Sequence, residues 1–353
     1  MSEHATEPAF TRSANNRASA LNVQAARQLA DEVFFPAAND IDAMPIMPRE
    51  RLDLVAELGW YGLSAPDSGV DLTSSRPIVE ALAGGCLTTT FVWMQHLGAP
   101  PACAYGPQRL RPWVPHLASG TRRATVAFAG LRPDAPLRAR LEGDEWMLNG
   151  VAPWVTGWGL TDVVHVAART TDDEVVWLLV DAPSPGMRAE PLQLLAVNAS
   201  ATVTLYFDQV RVAADRQTSR FLWSEWPARD AMGLRTNGSL ALGVADRCCR
   251  LIGPSRLDEQ LSSCRDTLDA AEPESMPAAR AAAARFAVTA AAALVTNKGS
   301  SSAVIGNHAE RLVREATLLL VFGSRPSIKR ELFEQLGGGR LPDDWSRSEP
   351  QLG

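Results

Sequence analysis

A tryptophan and a threonine two residues apart, Trp154 and Thr156, form the pair of side chains best suited to hold a ligand. They lie in the segment WMLNGVAPWVTG, whose composition predicts a β-strand. Residues two apart in a strand point to one face, so the indole would form a flat apolar wall and the hydroxyl would donate beside it. The alternative is a core tryptophan with a surface threonine, which an isolated Trp-x-Thr pattern would favour.

Motifs for several other chemistries are absent from the sequence. The five cysteines are scattered and form no Cys-x-x-Cys pair, so we expect no metal site. No G-x-G-x-x-G, G-x-x-x-x-G-K-[ST], H-E-x-x-H or G-x-S-x-G motif occurs. His96 in an apolar segment and His308 at a helix start are interpreted as structural. These patterns argue against nicotinamide-fold dehydrogenases, P-loop enzymes, zinc proteases and α/β-hydrolases.

The composition is that of a globular chain of two or three compact units. Its 353 residues are 46% hydrophobic and 21% charged. A formal net charge of −6 argues against nucleic acid as the main partner. Arg280 and Arg285 interrupt the alanine-rich run at residues 278–295, so we expect no membrane span. The polar N-terminus and the scattered cysteines predict a reducing cytoplasmic location.

The composition of the chain and the spacing of its apolar residues change twice. Residues 1–120 are expected to form an all-α domain, with about the first 18 residues disordered. Residues 121–216 contain short segments rich in Val, Thr and aromatics, and the turns EGDE and TDDE predict hairpins between them. Residues 217–337 return to helical spacing and predict a bundle of four helices, followed by a flexible tail over 338–353. The order α–β–α lacks the alternation of a doubly wound sheet, so the fold class is α+β.

Several segments together resemble the acyl-CoA dehydrogenase superfamily. Trp154-Val155-Thr156-Gly157 is similar to the family's W-[IV]-T-[NG]-G, and FDQVRV is similar to its F-D-D-V-R-V. LVAELGWYGLSAPDSG and ERLVREATLLLVFGS resemble family segments before and after the β-domain. The resemblance covers residues from about 25 to 335 in the family's order. It identifies the chain as a divergent member of bacterial type, with a central antiparallel β-barrel between two helical domains.

The resemblance implies FAD as the cofactor and an acyl-CoA or another acyl thioester as the substrate. Trp154 would then wall the flavin, and Thr156 would donate near its N5 atom. Phe128, Ala129 and Gly130 occupy a loop that supplies backbone donors to the flavin, with Ala129 where the family has Thr. Arg235 lies near a family arginine that shapes the acyl-CoA site.

The resemblance also implies assembly and redox partners. Because the family's flavin site borrows from a neighbouring subunit, we expect a homo-oligomer or a heteromer with a homologous chain. An electron-transfer flavoprotein is the implied electron acceptor.

The family pattern fails at two places that matter for chemistry. Gly323 stands where many members have the catalytic Glu, with Phe322 over the preceding Tyr. Asp230 is the weak candidate for a substitute base, and its alternative role is a first-turn helix acid. The R-x-x-F-G motif that reaches the FAD diphosphate is also missing, with only Arg250 and Arg256 nearby.

Three hypotheses follow, and whether the chain is an enzyme stays open. The first is a flavin oxidoreductase that desaturates an acyl thioester between its α and β carbons. The second is a non-catalytic or half-site partner of a complete homologue, which the missing Glu favours. The third is a flavin-dependent monooxygenase or oxidase on the same scaffold, which needs no base for the α-proton.

Overall fold

The computed structural model describes residues 22–66, 72–323 and 325–341. The predicted disorder before about residue 19 lies outside these ranges, as does most of the predicted tail. The N-terminal part is helical, as expected. Its helices are α1 (residues 22–29), which continues through the π-helical turn Ala30–Phe34, then α2 (Phe35–Asp42), α3 (Glu50–Glu57), α4 (Leu72–Gly85), α5 (Leu87–Met94), α6 (Ala99–Tyr105) and α7 (Trp113–Ala118).

The central part is one eight-stranded sheet. Its strands are β1 (Ala124–Ala127), β2 (Leu137–Glu142), β3 (Glu145–Val155), β4 (Val163–Arg169), β5 (Glu174–Asp181), β6 (Met187–Pro191), β7 (Val203–Ala213) and β8 (Gln217–Leu222). The order is β6-β7-β3-β2-β4-β5-β8, with β1 paired to β4. The hairpins predicted at EGDE and TDDE are confirmed, since β2 pairs with β3 and β4 pairs with β5 across them. Strand β8 extends the sheet past residue 216, the expected boundary.

The prediction of an antiparallel barrel is wrong in two respects. The sheet is mixed, because β1 runs parallel to β4 and β2 meets β4 in parallel at Arg138 and Arg169. Among the residues that the structure describes, the sheet is also open, because β6 pairs only with β7 and β8 only with β5. The physical reason is that β1 takes most of the free edge of β4, which leaves one residue pair to join the two halves of the sheet. The two halves of the sheet then fold over a shared apolar core without closing into a barrel.

The C-terminal part of the described chain contains five helices rather than the predicted four. They are α8 (Trp226–Ile252), α9 (Arg256–Ala270), α10 (Met276–Lys298), α11 (His308–Val321) and α12 (Pro326–Gln335). Helix α8 crosses α4 with backbones in contact: a Cβ on Gly243 would lie 2.2 Å from the carbonyl oxygen of Glu80, and one on Gly84 would lie 2.8 Å from that of Gly243. Two glycines therefore set the distance between the N-terminal and C-terminal helices.

Helix α10 is long and apolar enough to cross a membrane by length and composition alone. Eleven of its residues are buried within the described chain, and α10 packs against α8, α9, α11 and α12. This environment is that of a core helix in a bundle, and a core helix has the same composition.

Helix α5 lies at the centre of the molecule. All eight of its residues are buried, including three consecutive threonines. Immediately after α5, His96 ties the helical part to the sheet: its Nδ1 accepts from the backbone N–H of Ala124 at 2.9 Å, and its Nε2 lies 3.1 Å from the carbonyl oxygen of Leu117. These partners select the neutral ring with the proton on Nε2, and burial lowers the pKa of His96 to about 3.

We expect the His96 ring to make the fold acid-sensitive. The pKa of His96 in the folded chain lies below the unfolded value of 6.5. Its contribution to the free energy of unfolding is therefore complete above pH 6.5 and is lost as the pH falls from 6.5 towards about 3. His96→Gln should remove about 1.4 kcal/mol per pH unit from the slope of unfolding free energy against pH in that window. Urea denaturation at several pH values measures the slope.

The exposed His116→Gln variant is the matched control for the loss of one histidine. His165 and His308 also have pKa values lowered by burial, but they contribute equally to both proteins and cancel in the difference. An unchanged slope in His96→Gln would contradict the assignment of a neutral ring.

Candidate functional site

Trp154 sits in an irregular end of β3. The register between β3 and β7 shifts between Ala152 and Val155, and Trp154 has a φ of +64°. A left-handed backbone costs a residue other than glycine about 1–3 kcal/mol. This conformation turns the indole outwards, and the side chain is 50% exposed. The indole of Trp154 is thus held on the surface by a strained backbone, an arrangement that recurs at ligand sites.

The expected common face of Trp154 and Thr156 does not exist in this structure. Thr156 lies one residue beyond the end of β3 and is buried, with its Oγ1 2.9 Å from the Oγ1 of Thr202. The Oγ1 of Thr202 is in turn 2.8 Å from the Oγ of Ser200. The physical reason is the irregular backbone at Trp154, which breaks the two-residue alternation that the prediction assumed. The role of Thr156 towards a flavin stays a prediction.

The loop after β1 presents a second exposed aromatic ring. Phe128 is 41% exposed and opens a 3₁₀ turn that contains the buried Ala129 and Gly130. A Cβ on Gly130 would lie 2.5 Å from the Cα of Ala168, so this turn packs directly on β4. The ring of Phe128 makes an edge contact with Trp177, with centroids 5.8 Å apart. The three predicted residues therefore form a fixed turn that carries an accessible phenyl ring.

The segment after α11 contains the position expected to hold a catalytic carboxylate. Gly323 adopts a left-handed conformation with φ +60°, and a Cβ there would lie 2.9 Å from Nδ2 of Asn237 on α8. Phe322 beside it packs edge-on against Phe91 of α5, with centroids 4.7 Å apart. The backbone is thus held in place, but the side chain at this position carries no proton acceptor.

Asp230, the weak candidate base, lies in the same region and is bound to Arg325. The Nε and Nη2 of Arg325 donate to the two carboxylate oxygens at 2.5 and 3.0 Å. The guanidinium carbon lies 6.0 Å from the ring centre of Phe128. The ion pair therefore connects the first turns of α8 to the loop after β1. Sequence reasoning missed Arg325, although its position two residues after Gly323 is a signal that could have found it.

A chain of contacts joins these parts. A Cβ on Gly157, three residues after Trp154, would lie 3.1 Å from Val92 of α5. The neighbouring Phe91 contacts Phe322, and Arg325 just beyond it reaches Phe128. We call this region, defined by Phe128, Trp154, Gly157, Phe91, Val92, Phe322, Gly323, Arg325, Asp230 and Asn237, the sheet–helix junction. It brings together the predicted flavin strand, the loop after β1 and the position of the missing Glu.

Arg235, predicted near the acyl-CoA site, is buried among the helices. Its Nε donates to Asp269 at 2.8 Å and its Nη1 to Ser239 at 3.0 Å, and Glu80 lies 3.7 Å away. Burial raises the pKa of Glu80 despite the neighbouring cations. Arg235 thus has partners that hold α8 against α4 and α9, and its role towards a substrate stays a prediction.

Arg250, considered for the FAD diphosphate, is also engaged. It donates through Nη1 and Nη2 to Asp31 at 2.9 and 2.6 Å, and Arg247 donates to the same carboxylate at 2.5 Å. Arg256 is the first residue of α9. The pair of arginines on Asp31 fixes the N-terminal helices to α8. Because both guanidinium groups are bound to Asp31, neither Arg247 nor Arg250 is free to bind a diphosphate.

A surface hollow of about 520 Å³ lies away from the junction. It is lined by Arg330, Glu331, Glu334, Gly339 and Arg340, at and beyond α12. Its open, charged lining contrasts with the aromatic lining typical of cofactor sites. The junction, which carries two exposed aromatic rings and an ion pair, is therefore the better candidate.

Comparison with known proteins bears on the family and the fold of the chain. Residues 19–121 match the family described as acyl-CoA dehydrogenase, N-terminal domain. The chain is 26% identical over 210 residues to the short-chain specific acyl-CoA dehydrogenase of Homo sapiens mitochondria, a match that covers 55% of this chain and 51% of that protein. The chain spans about half the length of the curated relatives it matches.

Two solved structures share the fold over almost the whole chain. Butyryl-CoA dehydrogenase from Megasphaera elsdenii has a TM-score of 0.79 at 15% identity, covering 95% of this chain and 100% of that chain. Glutaryl-CoA dehydrogenase from Mycobacterium smegmatis in complex with FADH2 has a TM-score of 0.75 at 21% identity, covering 92% and 95%. The helix–sheet–helix architecture is therefore that of these proteins.

The backbone at Trp154 generates a stability prediction. Asn tolerates the left-handed region well, whereas a β-branched side chain does not. Trp154→Asn should keep the free energy of unfolding close to the parent value, because the indole is half exposed, and Trp154→Val should lower it by about 1 kcal/mol or more. Chemical denaturation of both variants measures the difference. Equal stabilities for Asn and Val would show that the left-handed conformation is not held in solution.

Proposed function

Because the chain belongs to the acyl-CoA dehydrogenase superfamily, we propose that it is a flavoprotein that binds FAD at the sheet–helix junction and acts on an acyl thioester. The observation that carries the proposal is the strained, half-exposed Trp154 at the end of β3, together with the exposed ring of Phe128 in the loop after β1. Exposed aromatic rings of this size are costly to leave in water and are suited to cover a flat ligand.

The residues of the sheet–helix junction fit the isoalloxazine ring of FAD better than they fit its diphosphate. Trp154 and Phe128 would wall the isoalloxazine ring, and Thr156 is the proposed hydroxyl donor once its contact with Thr202 is exchanged. Of the two arginines considered for the diphosphate, Arg250 is bound to Asp31, and Arg256 begins α9 outside the sheet–helix junction. We therefore propose that a second chain, identical or homologous, completes this part of the site. The bound flavin would supply a hydride acceptor.

The proposed reaction is α,β-desaturation, which also requires a group that removes the α-proton. Asp230 is the carboxylate that the described chain places at the junction, and both of its oxygens accept hydrogen bonds from Arg325. Arg325 would have to release at least one of these oxygens before Asp230 could accept the α-proton. We therefore expect slow desaturation by the chain as it stands. An electron-transfer flavoprotein in a reducing cytoplasm is the proposed acceptor.

A second candidate function is that of a half-site partner for a complete homologue. The observation that favours it is Gly323, which has a left-handed backbone and no carboxylate, at the position where many family members have the catalytic Glu. In this role the chain would keep the fold to complete the partner's flavin site. The third hypothesis, a monooxygenase or oxidase, has no specific observation in its favour.

The flavin itself tests the first proposal. Purified protein should show the visible absorption band of bound FAD, and an acyl-CoA added without oxygen should slowly bleach it. Trp154→Asn should remain folded and lose FAD affinity, because the wall is removed and the backbone is kept. A folded protein that takes up no FAD would overturn the proposal. Gain of the band only on mixing with a homologous chain would instead support the half-site role.

Restoring the missing carboxylate gives a sharper test of the reaction. Gly323→Glu should bleach the flavin with an acyl-CoA at least about 100-fold faster than the parent, because a positioned general base contributes about 10²–10⁴-fold. The new Cβ meets only the amide end of Asn237, a half-buried side chain that can rotate away. Stopped-flow absorbance measures the rate.

Gly323→Gln is the matched control, since it has the same size and the same backbone cost but no base. Circular dichroism and FAD content should be equal in the two variants. Equal bleaching rates for Glu and Gln would show that this position does not face the α-carbon and would contradict desaturation at the junction.

A further inference from the structure

Arg325 has an unused hydrogen-bonding edge. A guanidinium has five donors arranged in a planar fork. Asp230 occupies the side edge, formed by Nε and Nη2. These are the side-chain hydrogen bonds of Arg325 within the described residues, and they leave Nη1 and the outer hydrogen of Nη2 as a second edge. A second carboxylate fits that edge in the same two-point geometry.

The accessibilities of the two partners indicate which of them a ligand would meet. The side chain of Arg325 is 29% exposed and that of Asp230 is 12% exposed. The carboxylate is therefore the more buried partner and orients the guanidinium from behind. Since Asp230 already holds the fork in one orientation, an incoming anion would not have to order a free arginine side chain.

The surroundings of Arg325 also suit a substrate group. Its guanidinium carbon is 6.0 Å from the ring centre of Phe128, which is 41% exposed and is fixed by its contact with Trp177. An apolar surface beside a cation excludes water and strengthens a charge-assisted hydrogen bond. The nearby position of Gly323 offers no negative charge that would repel an anion.

We infer that Arg325 selects acyl thioesters whose acyl group ends in a second carboxylate. The free edge of the guanidinium would bind the terminal carboxylate, and Asp230 would hold the guanidinium in place. This inference rests on the proposed function, because it places the acyl group of the substrate at the sheet–helix junction. The alternative is an ion pair that only joins α8 to the segment after α11.

Two thioesters of equal carbon number separate these readings. Isothermal titration of the FAD-loaded protein with succinyl-CoA and butyryl-CoA compares a terminal carboxylate with a methyl group. We expect succinyl-CoA to bind at least about tenfold more tightly, the effect of one charge-assisted hydrogen-bond pair. Arg325→Gln should remove the preference, so that succinyl-CoA and butyryl-CoA bind with similar affinity. Arg330→Gln, which loses the same charge outside the junction, should keep the parent's preference.

Asp230→Asn distinguishes selection from a purely structural pair. Removing the buried negative charge leaves the guanidinium uncompensated, so the preference for succinyl-CoA should increase. A structural pair predicts that Arg325→Gln and Asp230→Asn weaken both thioesters alike. If Arg325→Gln does not fold, Arg325→Lys keeps the charge and loses the fork, and it should retain only part of the preference.

The outcomes also separate this inference from the proposed function. Binding of butyryl-CoA with no preference for succinyl-CoA would overturn the role of Arg325 and leave the proposed function standing. Failure of both thioesters to bind the FAD-loaded protein would overturn the proposed function and this inference with it.

Discussion

The packing of the fully buried helix α5 between the sheet and the C-terminal helices is the contact on which the candidate site depends. Val92 lies where a Cβ on Gly157 would come within 3.1 Å of it, and Phe91 supports Phe322 on the opposite side. Because α5 has no exposed face, neither neighbour can move without opening a cavity in the core. One short helix thereby sets the distance between the strand that ends at Val155 and the loop that holds Gly323.

Charged groups elsewhere in the molecule serve mainly to join its parts. Arg247 and Arg250 hold Asp31 across the N-terminal helices and α8, and Arg235 with Asp269 and Glu80 joins α8 to its neighbours. These pairs lie within the helical layers. The pair of Asp230 and Arg325 differs, because it lies beside an exposed aromatic ring and keeps a free donor edge. Its position, more than its charge, distinguishes it from a structural ion pair.

Much of the architecture could be predicted from local patterns. The turns EGDE and TDDE lie between strands that pair across them, because both the residue types of the turn and the strand propensities are local properties. Closure of the sheet could not be predicted in the same way. It depends on whether β6 and β8 reach each other, and that follows from how β1 and β2 divide the edge of β4. Such pairing joins residues far apart in the chain.

The features of the candidate site also divide into those set by local sequence and those set by contacts between distant residues. Residue type and local order alone show that Trp154 lies in a strand segment and that position 323 has no carboxylate. Two further features are visible only in the folded chain: Thr156 turns inwards, and Asp230 meets Arg325, which lies 95 residues away in the chain. The first depends on one left-handed residue, and the second on how two helices pack. Neither leaves a local pattern in the chain, since both arise from contacts that form on folding.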